Sequence, residues 1–300
     1  MIRIRRVGAA RDSVLENRLR AITDRLRLRN VFNPSPIEHD GTLYVAFRAI
    51  GPDGGRVRAY LARLEQAGEV ITDLTSFAND LGIPFIADPK LLMLDGDVYV
   101  TFNSGYSARD VNTIYLQRVS PRLGVPQACL LSERQKVEKN WAFFRAGAEL
   151  RAVYSLQPLM VLVLREGRLG DHGPLTFDHR DRIHSAHRPV GLTLGSQMLV
   201  EAERGLLIAH SKIRVGRRRA YVGHLVELGL ADDTPSVSIS QTSLIDSWRA
   251  LWPVHDRLNP NLWSATYFSG IARIREELLL GYGVNDSRAA LARVSEEMIA

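Results

Sequence analysis

Gly41-Thr-Leu-Tyr-Val-Ala-Phe47 and Gly96-Asp-Val-Tyr-Val-Thr-Phe102 are two versions of one pattern. Each is short, rich in β-branched and aromatic residues, and entered through an Asp-Gly pair, so each predicts a β-strand after a tight turn. Weaker copies follow at Glu149-Leu-Arg-Ala-Val-Tyr154, Gly205-Leu-Leu-Ile-Ala-His210 and Glu277-Leu-Leu-Leu-Gly-Tyr282. Their last aromatic or histidine residues, Phe47, Phe102, Tyr154, His210 and Tyr282, are separated by 55, 52, 56 and 72 positions. Five copies in 300 residues give a unit of 60. A recurring unit of that size, made of short strands and turns, predicts an all-β fold. The specific expectation is a five-bladed β-propeller with four antiparallel strands per blade.

The rest of the chain fits around these strands. Segments 161–164, 192–200, 220–228 and 236–240 also read as strands, which disfavours an αβ solenoid. Between Arg11 and Leu28 the apolar positions Val14, Leu15, Leu19, Ile22 and Leu26 follow a helical period, predicting a short N-terminal helix outside the repeat. Segment 287–294 is expected to supply the closing strand of the last unit. The organisation expected is one domain over residues 1–300, with 1–30 as an extension carrying the helix.

With 45% hydrophobic and 24% charged residues, the composition is that of an ordinary globular protein. No apolar run approaches the roughly 18 residues of a membrane span. The start, Met1-Ile-Arg-Ile-Arg-Arg-Val-Gly8, has no apolar core of a signal peptide, and a cytoplasmic location is expected. The single cysteine, Cys129, excludes an internal disulfide and any multi-cysteine metal cluster. The net charge of +6 favours anionic partners, but the basic runs 18–29 and 214–219 are not interleaved with aromatics, so nucleic acid is not expected. His172, His179 and His184-Ser-Ala-His187 read as a polar loop, with Arg188 beside them, rather than a metal site. No phosphate-cradling or dinucleotide glycine motif is present.

Fourteen residues before each marker lie Asn33, Asp88, Asn140, Ser196 and Phe268. Four of the five are small and polar, and two are followed by proline, in Asn33-Pro34-Ser35 and Asp88-Pro89-Lys90. Proline removes a ladder donor and belongs at a strand start or bulge. If the copies are blades, Asn33, Asp88, Asn140 and Ser196 stand at matching depth around one axis. Such a ring of convergent polar groups suits a small-molecule site. Asn, Asp and Ser also serve as plain turn residues, and that reading stays open.

Asn33-Pro-Ser35, Tyr44-Val-Ala-Phe-Arg48, Ala87-Asp-Pro-Lys90, Glu138-Lys-Asn-Trp141 and Gly281-Tyr-Gly-Val-Asn-Asp286 occur in this order. The set resembles the five-bladed propellers of the β-mannoside phosphorylases (glycoside hydrolase family 130) and related mannosyltransferases. It is more distantly similar to the furanosidase and arabinanase propellers. The resemblance spans residues 33–286 and implies a carbohydrate-active enzyme in which Asp88 is the general acid and Lys139, Asn140 and Asp286 face sugar or phosphate. Three departures stand out. Ala87 occupies the place of the family's usual Glu, Lys90 that of its usual Arg, and Leu194-Gly-Ser-Gln197 replaces its usual Arg-Gly-Gly or Arg-Gly-Ser. Lysine keeps the charge and loses the bidentate fork.

Inverting cleavage of a glycosidic bond needs a proton donor on the leaving oxygen and a nucleophile on the opposite face. A hydrolase adds a second carboxylate, whereas a phosphorylase uses phosphate and needs cations. Near the expected axis, carboxylates are few (Asp88, Asp286 and Glu138). Cations and imidazoles are more numerous (Arg48, Lys90, Lys139, His210 and Lys212). The expectation is therefore glycosyl transfer, phosphorylase-like or glycosyltransferase-like, with Asp88 catalytic. Asn33, Arg48, Lys90, Asn103, Lys139, Asn140, Ser196, His210, Tyr282 and Asp286 are the expected substrate-binding residues. Trp141 and Tyr106 are either sugar-stacking or packing aromatics. No cofactor or metal is expected; phosphate, a sugar phosphate or a nucleotide sugar would enter as co-substrate. An inverting glycoside hydrolase and a non-catalytic sugar-binding propeller are the alternatives.

Overall fold

The computed structural model describes residues 3–65, 68–105, 111–135, 137–183, 191–230, 236–252, 259 and 261–300. An edge strand β1 (Arg3–Arg6) and helix α1 (Ser13–Arg25) lead into an antiparallel meander of β2 (Arg29–His39), β3 (Thr42–Ile50), β4 (Val57–Glu65) and β5 (Gly68–Asp73). Helix α2 (Leu74–Asp80) precedes a second meander of β6 (Ala87–Leu94), β7 (Asp97–Asn103), β8 (Ile114–Arg118) and β9 (Gln127–Leu131). A third contains β10 (Ala142–Ala146), β11 (Glu149–Leu156), β12 (Leu159–Glu166) and β13 (Leu175–Ile183).

Next come β14 (Leu192–Leu194), β15 (Leu199–Glu201), β16 (Arg204–Val215), β17 (Arg218–Gly229), β18 (Ser236–Ile239) and β19 (Thr242–Ile245). Here the inner strand is split, β14 and β15 both pairing with β16. The last group is β20 (Leu262–Ile274), β21 (Glu277–Val284) and β22 (Arg288–Val294), followed by the short helix α3 (Glu296–Ile299). It has three strands among the described residues rather than the expected four. The architecture is nearly all-β, with curled sheets in a propeller-like arrangement.

Local chemistry explains the hairpins. Asp40-Gly41 and Asp95-Gly96 are two-residue turns with positive φ at both positions (50° and 71°, 54° and 82°) between the pairs His39–Thr42 and Leu94–Asp97. This is the turn whose twist matches that of paired strands. All five marker strands lie second in their groups, as β3, β7, β11, β16 and β21. β3, β7 and β21 are buried on both faces over most of their length, and β16 over residues 205–210, which is why these segments read as continuous apolar runs rather than alternating ones.

Apolar side chains fill the spaces between successive groups. Tyr44, Ala46 and Leu61 of the first pack with Leu91, Val98 and Phe102 of the second. Leu92, Tyr99 and Leu116 meet Trp141, Phe143 and Phe177 of the third, and Phe144 and Val153 meet Leu207 and Val226 of the fourth. Phe268 and Tyr282 of the last pack with Ile208 and Leu225. Leu279 and Leu291 then return to Leu43, Val45 and Phe47, so the last group packs on the first. Closure requires glycine. A Cβ at Gly281 would sit 2.1 Å from the Pro34 carbonyl oxygen, and one at Gly283 would sit 2.0 Å from Asn33 Oδ1.

Helix α1 starts at Asp12, whose side chain accepts from the Leu15 amide at 3.0 Å. Leu15, Leu19 and Ile22 enter the core between the last and first groups, whereas Val14 and Leu26 face solvent. Their exposure narrows the apolar stripe to three of the five expected positions. Cys129 is buried, and burial pushes its thiol up. No helix among the described residues is long and apolar enough to cross a membrane.

Candidate functional site

The inner strands do not run straight. In β2, Asn33 and Pro34 oppose Phe47 alone, between the pairs Phe32–Arg48 and Ser35–Ala46. In β6, Asp88 and Pro89 oppose Phe102 alone, between Ala87–Asn103 and Lys90–Thr101. Both are β-bulges, which re-aim a side chain at the edge of a sheet. Asn33 and Asp88 adopt the left-handed conformation there (φ 51° for each), as does Asn140 (φ 56°) just before β10. Asn and Asp tolerate this conformation better than other non-glycine residues. Proline fits because the bulge leaves its position without a ladder partner.

These three residues line one cavity of about 840 Å³ together with Arg48, Lys139, Lys212, Arg219 and Asp286. Arg48 reaches Asp88 with a 3.1 Å ion pair, both side chains being largely buried, and its guanidinium lies 5.1 Å from the Phe32 ring centre. Asp286 sits in the β21–β22 turn at φ 53°. Burial pushes its carboxyl above the ordinary value; Arg48 opposes this and the charge of Asp88 adds to it. Burial, helped by Lys139 and Arg219, pulls Lys212 down. Asn33 Oδ1 is buried against Gly283 without a hydrogen-bond partner, so it is the amide nitrogen that is left to face the cavity.

Lys90 lies behind the wall, 1% exposed. Its ammonium donates to Asn140 Oδ1 at 2.5 Å and lies 5.9 Å from the Tyr267 ring centre. Burial drives it down to about 8, with Lys139 in the same direction and Asp88 opposing. Asn140 in turn donates to the Leu194 carbonyl at 2.9 Å and to the Tyr267 hydroxyl at 3.4 Å. The amide is thereby fixed, and Lys90 adds positive charge without touching the cavity.

Besides Lys90, four more expected site residues stand off the wall. Asn103 is buried and accepts from the Gly105 amide. Ser196 lies in the interrupted inner strand, where its hydroxyl donates to the Gln197 carbonyl and accepts from the Ile208 amide. His210 is fully buried, stacked on Tyr267 at 4.3 Å, with Nε2 accepting from the Phe268 amide. Burial drives its ring well below the ordinary histidine range, so it is neutral. Tyr282 packs in the core and donates to Asp246 at 3.0 Å, turned toward a different recess.

Glu138 lines the cavity but its carboxylate is occupied: it accepts from Trp141 Nε1 (3.1 Å), the Tyr154 hydroxyl (3.2 Å) and the Gln135 amide (2.6 Å). Asn112 clamps the same segment, donating to the Glu138 carbonyl and accepting from its amide. Trp141 is buried in an aromatic cluster with Phe143, Tyr154 and Phe177, so it packs rather than stacks on a ligand. Tyr106, His184, His187 and Arg188 lie outside the described residues.

The sequence reading missed Arg219, Tyr221, Tyr154 and Tyr267, which also line the cavity. The run 214–219 was a visible signal for Arg219; what it hid is that β16 and β17 are twelve residues each and carry Lys212 and Arg219 over the cavity. The lining is thus aromatic and polar, with four cations, two carboxylates not tied up by their own segment, and one that is.

No family model matches the chain, and no curated protein matches it. Solved structures do. A glycosyl hydrolase from Bacteroides ovatus aligns at 12% identity and TM-score 0.62, covering 91% of this chain and 86% of that one. A β-1,2-mannobiose phosphorylase from Listeria innocua, solved with β-1,2-mannobiose, aligns at 14% identity and TM-score 0.59, covering 91% of each. A structure of the GH130 family, described as mannoside phosphorylases that include hydrolases of β-1,2 mannosidic linkages, aligns at 12% and 0.61, covering 91% and 86%. At these identities the likeness is one of fold.

Proposed function

We propose that the chain is a carbohydrate-active enzyme, one five-bladed propeller domain, that transfers a glycosyl unit with inversion in a phosphorylase-like or glycosyltransferase-like reaction. The observation that carries this reading is Asp88, held at a bulge by Arg48 on the wall of a cavity that also carries three further cations, Lys139, Lys212 and Arg219. The names of the solved structures of like fold agree with it. Asp88 gives its proton to the oxygen that leaves the anomeric carbon, while an oxygen of phosphate forms the new bond on the opposite face. Lys139, Lys212 and Arg219 seat the phosphate, and Arg48 orients Asp88. Asn33 donates its amide N–H to a sugar hydroxyl, and Asn140 Oδ1, which already accepts from Lys90, accepts from one more.

Hydrolysis is the second reading, because Asp286 is a carboxylate on the same wall and within electrostatic reach of Asp88. A water activated by Asp286 would then replace phosphate. Ala87, where the related motif carries Glu, keeps a sugar-binding protein without turnover as the third.

Ligand binding tests the cationic seat. Mannose 1-phosphate is expected to bind at least about tenfold more tightly than mannose at pH 7, since charge-assisted hydrogen bonds are roughly twice as strong as neutral ones. The phosphate is already a dianion at pH 7. Raising the pH from 7 to 9 neutralises Lys90 as it passes about 8, so the affinity for the phosphate ester falls while that for mannose holds. Equal affinities at pH 7, measured by calorimetry, would leave hydrolysis or sugar binding alone.

A further inference from the structure

A second recess of about 600 Å³ lies beside the first, and the proposed chemistry makes no use of it. Arg6, Arg11, Arg249 and Arg288 line it against one carboxylate, Asp246. Asp246 is nearly buried and held in place from several sides. Arg11 reaches it at 2.7 Å and Arg288 at 3.3 Å, while the Tyr282 and Ser247 hydroxyls each donate to it at 3.0 Å. The backbone is tied in as well, the Gly8 amide donating to the Asp246 carbonyl and the Asp246 amide donating to Thr266 Oγ1, each at 2.9 Å.

One buried carboxylate therefore orients two guanidiniums, each of which has more donors than Asp246 can accept. Arg249 and Arg288 are exposed at the rim; Arg11 also pairs with Glu16 at 3.8 Å, and four cations against these two anions still leave the recess with net positive charge. Planar guanidinium forks held by a fixed carboxylate suit a tetrahedral oxyanion better than flexible lysines do.

Position adds the second argument. Asn285 lines this recess and the next residue, Asp286, lines the cavity of Asp88, so a single hairpin turn separates the two. Asn285 is pinned to the cavity wall by a reciprocal pair: its amide donates to the Ala265 carbonyl and its Oδ1 accepts from the Ala265 amide. Ser247, Arg249 and Ala250 supply this side of the recess, and their chain neighbours Trp248, about half exposed, and Trp252, more exposed still, flank it without lining it. Exposed indoles beside cations are suited to a sugar face next to an anionic substituent.

The geometry points to a second, phosphate-binding site in the recess of Arg11, Arg249 and Arg288, occupied by a phosphate group carried on a carbohydrate or by free phosphate. It stands on residues that the proposed transfer reaction does not use, so either idea can fail without the other.

The test is calorimetric titration of the full chain with inorganic phosphate at pH 7 and low salt. Wild type is expected to bind two equivalents. The double variant R249Q/R288Q is expected to bind one, and K212Q/R219Q, altered in the other cavity, to bind the other one. Arg249 makes no contact with Asp246, so R249Q alone keeps the buried pairs and is expected to weaken the second equivalent by about fivefold or more. Unchanged melting temperature shows that each variant is folded. Phosphate binding by R249Q and R249Q/R288Q that equals wild type overturns the site. Loss confined to K212Q/R219Q, with wild type binding one equivalent, also overturns it. Loss confined to R249Q/R288Q leaves the site standing and counts against the phosphate seat beside Asp88. Glucose 6-phosphate, glucose and phosphate in parallel identify the source. An ester that binds at least about tenfold better than phosphate, with the gain lost in R249Q/R288Q, indicates a phosphorylated carbohydrate. Equal affinities for ester and phosphate indicate the free anion.

Discussion

Asp88→Asn is expected to lower glycosyl transfer by about a hundredfold to ten-thousandfold, the usual worth of a positioned general acid. The substitution is close to silent structurally. Asn, like Asp, accepts the left-handed conformation that the bulge imposes at this position. Its amide oxygen still accepts from Arg48, which now approaches at 3.1 Å, and Pro89 keeps the same turn. What is lost is the proton. The loss should therefore appear in kcat rather than in folding, and the melting temperature should move little. Glycosyl transfer that continues at near wild-type rates in the variant would move the acid elsewhere, with Asp286 the first candidate because burial already pushes its carboxyl toward the protonated form.

Trp141→Ala is expected to cost about 3–5 kcal/mol of stability, the range for emptying a large buried aromatic site. The indole is 1% exposed and meets Tyr154 and Phe177 edge-on. It also supplies a donor to the buried Glu138 carboxylate, so its removal leaves that charge one partner short. Trp141→Phe narrows the comparison, because it keeps an aromatic ring and most of the volume while removing the Nε1 donor. Urea unfolding measures both. A loss of under about 1 kcal/mol in the alanine variant, together with lost sugar affinity, would make Trp141 a ligand-stacking residue instead. Lys139 and Asn140 immediately precede it, so turnover should fall with stability.

Much of this was legible in the residues themselves. The Asp-Gly turns before β3 and β7 announce hairpins because the backbone they need is one that few other pairs adopt. The 14-residue offset found Asn33, Asp88 and Asn140, and the structure brings all three to one cavity. It failed at Ser196, where the inner strand is broken between β14 and β15 and the hydroxyl turns back to the Ile208 amide. His210 and Tyr282 came from the marker series instead, and four of the five markers point between sheets: Phe47, Phe102, His210 and Tyr282 are buried there, whereas Tyr154 reaches the cavity. Repetition reveals matching depth, but not which face of a strand looks into the cavity. The aromatic lining was invisible for a related reason. Tyr221 and Tyr267 sit among mostly buried residues of β17 and β20, and nothing local marks which of their side chains reach the cavity.

The most direct test of the central claim is a reverse-phosphorolysis screen. Mannose 1-phosphate and other sugar 1-phosphates are offered with a panel of acceptor sugars, and the release of inorganic phosphate is followed for wild type and Asp88→Asn. Release by wild type with at least one donor and acceptor pair, lost in the variant, is the predicted result. No release from any pair, together with cleavage of mannosides in phosphate-free buffer, would contradict the account and make the protein a hydrolase.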